Sequence, residues 1–156
     1  MLNIHLVVIG DKMPQWVEQG YQEYQKRIRG RIRLTLIEVS AIKRGRNADI
    51  DRIVLQEEKR LFDALPRDAY VIALDRIGKS VSTKDIASRM EPWMQLGQPV
   101  CLLVGGPEGL SPQGLKSADE VWSLSALTFA HPLVRVMLAE QLYRCFTIVE
   151  NLPYHR

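Results

Sequence analysis

Short apolar runs recur along the chain and alternate with segments of helical period. Runs of strand length fall at Ile4–Ile9, Leu34–Val39, Tyr70–Leu74 and Val100–Val104, with a weaker one at Val121–Leu124. VCLLV, residues 100–104, is apolar at every position, which suits a strand covered on both faces. Between the runs, MPQWVEQGYQEYQKRI sets Trp16, Val17, Gly20, Tyr21 and Tyr24 on one helical stripe. NADIDRIVLQEEKRLFDAL predicts a second helix. Asn47 is its expected N-cap, and Asp49 and Asp51 suit the positive end of the helix dipole. STKDIASRMEPWMQLG predicts a third, capped by Ser82 or Thr83, ended by Gly97 and open to a bend at Pro92. SPQGLKSAD predicts a short helix with Ser111 as cap and Pro112 at its first position. The last helix runs from about Pro132 to Glu150, with His131, before a proline, expected to be extended. Strands alternating with helices predict an α/β fold, a parallel-rich sheet flanked by helices. No repeat, low-complexity tract or linker divides residues 1–156, so a single domain is expected.

Composition agrees with that picture: 46% of the residues are hydrophobic and 25% charged, as in ordinary soluble domains. No apolar stretch approaches the ~18 residues of a membrane helix, so no membrane association is expected. MLNIHLVVIGDK lacks a basic leader and a small-residue cleavage site, and reads as the first strand. Cys101 and Cys145 lie in apolar runs outside any CxxC, which predicts buried reduced thiols and a cytoplasmic protein. Charge changes the picture more. The net value is +3, but residues 26–46 hold eight basic side chains against Glu38 alone, so that segment carries +7 and the rest −4. Such asymmetry points to a polyanion, most simply nucleic acid; the alternative is a solvated basic face with no partner. SAIKRGRNAD, residues 40–49, is glycine-containing, basic and poor in apolar residues, and is expected to be a mobile surface loop.

Three stretches carry candidate chemistry. In LVGGPEGLS, Gly105 and Gly106 follow a predicted strand, where parallel sheets bind ligands, and glycine lets main chain approach closely. The pattern GxGxxG fails at Pro107, and GLSPQGLKS misses GxxxxGK[ST] because Leu115 precedes Lys116, so nucleotide phosphate loops lose ground. A tight strand-to-helix turn with no ligand explains the glycines equally well. In WSLSALTFAHPLVRVMLAEQLYR, the small and hydroxyl-bearing LSALTF loop can offer N–H and C=O groups to a flat ligand such as adenine. The tail NLPYHR ends in a π-face, a titratable ring and a cation, Tyr154, His155 and Arg156, or is simply a solvated polar end. No metal is expected, since His5, His131 and His155 lack ligand spacing. No GxSxG or base-paired cysteine suggests a nucleophile.

In this order, LVGGPEGLS, WSLSALTFAHPLVRVMLAEQLYR and the terminal YHR resemble the RlmH family, SPOUT-class methyltransferases acting on a pseudouridine of large-subunit ribosomal RNA. KMPQWV and KRGRNADI extend the resemblance over essentially the whole chain. One departure is Phe129-Ala130-His131, where the family usually has proline before the histidine, which bears on the stiffness of the loop. The resemblance implies a trefoil knot over roughly residues 70–156, S-adenosyl-L-methionine bound in a bent form, and a homodimer whose site borrows from both subunits. Carried onto this sequence, the cofactor positions are Leu74, Gly105 and Gly106 together with the loop Leu124, Ser125, Ala126, Leu127, Thr128 and Phe129. The substrate would be ribosomal RNA, with a ribosomal particle favoured over free RNA. The acceptor, N3 of pseudouridine, must lose a proton during attack. Candidate catalytic groups are Arg135, Glu140, Tyr154 and His155. Arg135 could steady a carbonyl or phosphate, or form an ordinary surface salt bridge. Glu140 could take the proton, or pair with Arg144 one turn on. His155 has a suitable unperturbed pKa of ~6.5, and Tyr154 could stack on a flipped base. Two alternatives stand beside this: a ribosomal RNA-binding module without chemistry, and a SPOUT enzyme acting on another RNA site.

Overall fold

Alternation within the strands decides the layering. In β1 (Leu2–Ile9), Leu2, Ile4, Leu6 and Val8 join one apolar cluster while Val7 and Ile9 join another. In β4 (Val100–Val104), Val100, Leu102 and Val104 face the first cluster, and Cys101 and Leu103 face the second. Successive side chains of a strand point to opposite faces, so strands apolar at every position need cover on both sides. A computed structural model, describing residues 1–154, supplies that cover. The remaining elements are α1 (Gln15–Gln25), β2 (Ile32–Val39), α2 (Ile50–Asp63), β3 (Tyr70–Ser80), α3 (Thr83–Leu96), α4 (Pro112–Ser117), β5 (Glu120–Ser123) and α5 (His131–Val149).

All neighbouring strands pair in parallel, in the order β2-β1-β4-β3-β5. Tyr21 of α1, Met90 and Trp93 of α3, and Leu138 and Leu142 of α5 cover one face. Leu61 of α2 and Leu115 beside it in α4 cover the other. Fully burying each such Leu or Met contributes roughly 1.5–3 kcal/mol. Cys101 and Cys145 are buried free thiols, both pushed up to about 12 by burial. No helix is long and apolar enough to cross a membrane among the described residues.

Several local expectations hold. Ser82 and Asp85 form a reciprocal capping box on α3, Gly97 ends it in the left-handed region at φ 71°, and the helix continues through Pro92. Ser111 caps α4 through the Gly114 N–H, with Pro112 in the first turn. Others are corrected. Asp49, not Asn47, caps α2, accepting from the Arg52 N–H at 3.2 Å. Trp16 is 57% exposed, so the buried stripe of α1 is Val17 and Tyr21. His131 is the first residue of α5, and the extended residue is Ala130 at φ −58°, ψ 132°. β3 continues six residues past Leu74 to Ser80 because it carries a bulge: Trp122 of β5 pairs with both Leu74 and Lys79. Gly78 lies in that bulge, where a Cβ would come within 2.6 Å of the Trp122 carbonyl carbon.

Candidate active site

The C-terminal ends of β3, β4 and β5 converge, and each contributes a different wall to one cavity. β4 runs into Gly105 and the turn Gly106–Gly109, closed by the Gly109 N–H donating to the Gly106 carbonyl at 3.0 Å. A Cβ on Gly105 would lie 2.9 Å from the Gly109 carbonyl carbon, and Gly109 itself has φ 77°. The turn is tight, as the reading without a ligand expects, and its bare main chain forms one wall of the cavity. The bulge of β3 presents Asp75 and Arg76, with the Asp75 carboxylate held by the Ile77 N–H at 3.1 Å. β5 feeds the 124–130 loop, where Ser123 Oγ donates to the Ser125 carbonyl and Ser125 Oγ accepts from the Leu127 N–H.

The cavity holds about 330 Å³. Of the expected cofactor positions it gathers Leu74, Gly105, Gly106, Leu124, Ser125, Leu127, Thr128 and Phe129; Ala126 lies outside the lining. Leu127 is 68% exposed at the rim, a large apolar side chain left without cover. Sequence reasoning missed Asp75, Arg76, Glu108 and His131, which also line the space. Glu108 stands within the glycine motif and could have been noticed there. Arg44, donating to it, holds its carboxyl below the usual range. His131 is kept low by burial and by the nearby Arg135 and Arg44 cations, which favours the neutral ring at pH 7.

The candidate catalytic side chains lie elsewhere. Arg135 is only 1% exposed; it donates to Glu38 at 2.8 Å and to the Gly10 carbonyl at 3.0 Å, tying α5 to the ends of β1 and β2. It lines a second cavity between α1 and β2 and is neither at the surface nor in the cavity at Gly105. Glu140 pairs with Arg144 at 2.6 Å, as helical spacing allowed. The Arg144 guanidinium covers the Tyr154 ring at 4.9 Å, and that ring meets Tyr143 edge-on at 4.6 Å. Nine residues of helix, about 14 Å, separate His131 from Glu140. His155 lies outside the described residues.

The basic segment is partly spent within the chain. Lys26 and Arg27 pair with Glu23, Arg31 with Glu91 and Glu150, and Arg44 with Glu57 and Glu108. The expected mobile 40–49 loop is thus strapped down: Arg44 anchors it to α2 and to the glycine turn, and Arg60 donates to the Ser40 carbonyl. Arg29, Arg33, Lys43 and Arg46 are exposed and form no ion pair among the described residues. No cluster of His, Cys, Asp or Glu side chains suited to a metal ion occurs among the described residues.

A family model described as "Predicted SPOUT methyltransferase" matches residues 2–155, and the chain belongs to that family. More particularly, it is similar to the ribosomal RNA large subunit methyltransferase H of Thioalkalivibrio sulfidiphilus (strain HL-EbGR7), 49% identical over 155 residues that cover 99% of each chain. Among solved structures it is similar to a probable methylase family protein from Haemophilus influenzae Rd KW20. That likeness has a TM-score of 0.58 over 99% of this chain and 71% of the other, at 10% identity, and is one of fold.

Proposed function

We propose that this chain, a single domain over residues 1–156 knotted over roughly 70–156, methylates N3 of a pseudouridine in large-subunit ribosomal RNA. The donor is S-adenosylmethionine, the working form a homodimer and the compartment the cytoplasm. The observation that carries the reading is the meeting of Gly105 and Gly106 with the 124–129 loop around one cavity. Its walls suit the donor. Leu74, Leu124 and Phe129 offer apolar surface to a nucleoside, the glycine turn offers bare main chain, and Asp75 offers negative charge to a cation. The 49% identity to a ribosomal RNA methyltransferase supports the substrate.

The donor, when bound, supplies a methyl group on a positively charged sulfur for in-line displacement. The chain's own work is then to hold both reactants in line, exclude water and remove the N3 proton. Tyr154 offers an aromatic face, with Arg144 above it and Glu140 behind that cation. Tyr154 and His155 are the first candidates to handle the proton, and Glu140, paired with Arg144, is the next. Arg135 steadies the start of α5, and so the loop, from within the core. Because the Tyr154 cluster sits far along α5 from the cavity, one subunit's tail serves its partner's cavity. Arg29, Arg33, Lys43 and Arg46 hold RNA phosphates, and a ribosomal particle provides the preformed surface that so small a domain needs.

Calorimetric titration with S-adenosylmethionine, with mass spectrometry of ribosomal RNA from cells lacking the protein, tests this. Binding heat and loss of one methylated pseudouridine are expected. Absence of both favours a binding module, and a methyl lost from another RNA favours a different SPOUT target.

A further inference from the structure

Among the basic residues of the 40–49 loop, Arg44 is placed unlike its neighbours. Lys43 and Arg46 are exposed, whereas Arg44 lies between the buried Glu57 of α2 and Glu108 of the glycine turn. Its guanidinium uses every N–H it has. Nη1 donates to Glu57 Oε2 at 2.6 Å and to the Ile42 carbonyl at 2.7 Å. Nη2 donates to Glu57 Oε1 at 2.7 Å and to Glu108 Oε1 at 2.6 Å, and Nε donates to Glu108 Oε2 at 3.3 Å. Glu57 is 3% exposed and also accepts the Ile42 N–H at 2.8 Å. No donor is left for a phosphate, and a lysine, with three donors on a single nitrogen, cannot reproduce the fork.

The network lies directly against the cavity wall. A Cβ on Gly106 would stand 3.0 Å from Glu57 Oε1 and 3.2 Å from Arg44 Nη2, so these atoms support the bare main chain from behind. Glu108 lines the cavity while its carboxylate is held by Arg44. We propose that Arg44 is a positioning residue for the cofactor loop, fixing the Gly105–Gly109 turn through Glu57 and Glu108, and does not belong to the RNA phosphate-binding set. The proposal rests on reading the cavity as the nucleoside pocket.

Arg44→Ala alone would leave the Glu57 charge buried without a partner and could fail to fold. The informative variant is therefore Arg44→Ala with Glu57→Gln, which keeps net charge unchanged and leaves an acceptor for the Ile42 N–H. Three measurements are made on wild type, this double variant, Arg44→Lys and Lys43→Ala. They are S-adenosylhomocysteine affinity by calorimetry, amide hydrogen exchange over residues 105–109, and the salt dependence of poly(U) binding. The double variant is expected to bind S-adenosylhomocysteine on the order of 10-fold more weakly and to exchange faster across the turn. Arg44→Lys is expected to recover only part of both losses. The double variant's poly(U) salt slope is expected to match wild type, whereas Lys43→Ala flattens the slope by about one unit. Unchanged affinity and exchange in the double variant, or a slope reduced as in Lys43→Ala, overturns the proposal. If wild type binds no S-adenosylhomocysteine, the methyltransferase reading falls. Turn exchange then decides the proposal alone, faster exchange supporting it and unchanged exchange overturning it.

Discussion

At its N-terminal end, α5 borders a cavity walled by bare main chain and apolar side chains from three strand ends. At its C-terminal end, the same helix carries an ion pair and a stack of aromatic rings, Glu140 with Arg144 and Tyr143 with Tyr154. The first region is shaped by hydrogen-bonded strand ends and a closed turn, and it suits a ligand recognised by close fit. The second is built from long side chains on one helix face and a chain terminus, and it suits groups that must reach and move protons. On the proposed reading, the cofactor pocket is built within one chain while the groups that act on the substrate come from a partner's tail.

Removing the far region should cost most. Deleting Tyr154–Arg156 is expected to lower turnover by about 10²–10⁴-fold, the usual contribution of a positioned acid or base. Melting temperature and S-adenosylhomocysteine affinity should stay near wild type. A truncated protein that methylates normally would collapse the distinction between the two ends. At the near end, Gly105→Val drives a side chain into the Gly109 main chain, whose carbonyl carbon would be 2.9 Å from the new Cβ. Overpacking of this kind costs about 1–3 kcal/mol, so cofactor affinity should fall roughly 10- to 100-fold by calorimetry.

Two smaller effects separate the pocket's foundation from the pocket itself. Gly78→Ala pushes a methyl group toward the Trp122 carbonyl carbon at 2.6 Å, where β3 crosses β5. A loss of about 1–3 kcal/mol in denaturant unfolding is expected, and the tail cluster should be unaffected. Where α3 meets β5, Arg89 donates to Glu120 at 2.5 Å and is the main cause of that carboxyl falling to about 2 from its ordinary 4.5. A folded pKa below the unfolded one stabilises the protein above pH 4.5, and that stabilisation disappears as pH falls toward 2. The two side chains are 25% and 36% exposed, so screening limits the contribution to on the order of 1 kcal/mol. Arg89→Ala should thus unfold at slightly higher pH in an acid titration, with the difference gone near pH 2. An unchanged acid midpoint would remove this pair from the account.

Legibility followed the range of each interaction. The apolar run of β4, the Ser82 cap, the Gly97 stop and the Glu140–Arg144 pair lie within a few residues of their causes, and all were readable. So was the glycine turn, because three glycines around Pro107 and Glu108 require an unusual backbone path. Arg135 was not. It sits in an apolar helix, and its partners Glu38 and the Gly10 carbonyl are 97 and 125 residues away. Arg44 looked like one more cation in a basic loop, because Glu57 and Glu108 reach it only through packing of α2 and the turn. Trp16 fitted a helical stripe that the sheet does not cover.

Local order along the chain therefore determined the strands, the helices, most caps and the place where backbone must be bare. Such features arise from periodicity, chirality and hydrogen bonds between near neighbours. The tertiary structure alone decided which cations are internal struts and which face solvent. It also set the tail cluster a helix length away from the cavity. Those outcomes depend on which distant carboxylate a parallel strand order brings within hydrogen-bonding reach, and periodicity carries no record of that distance.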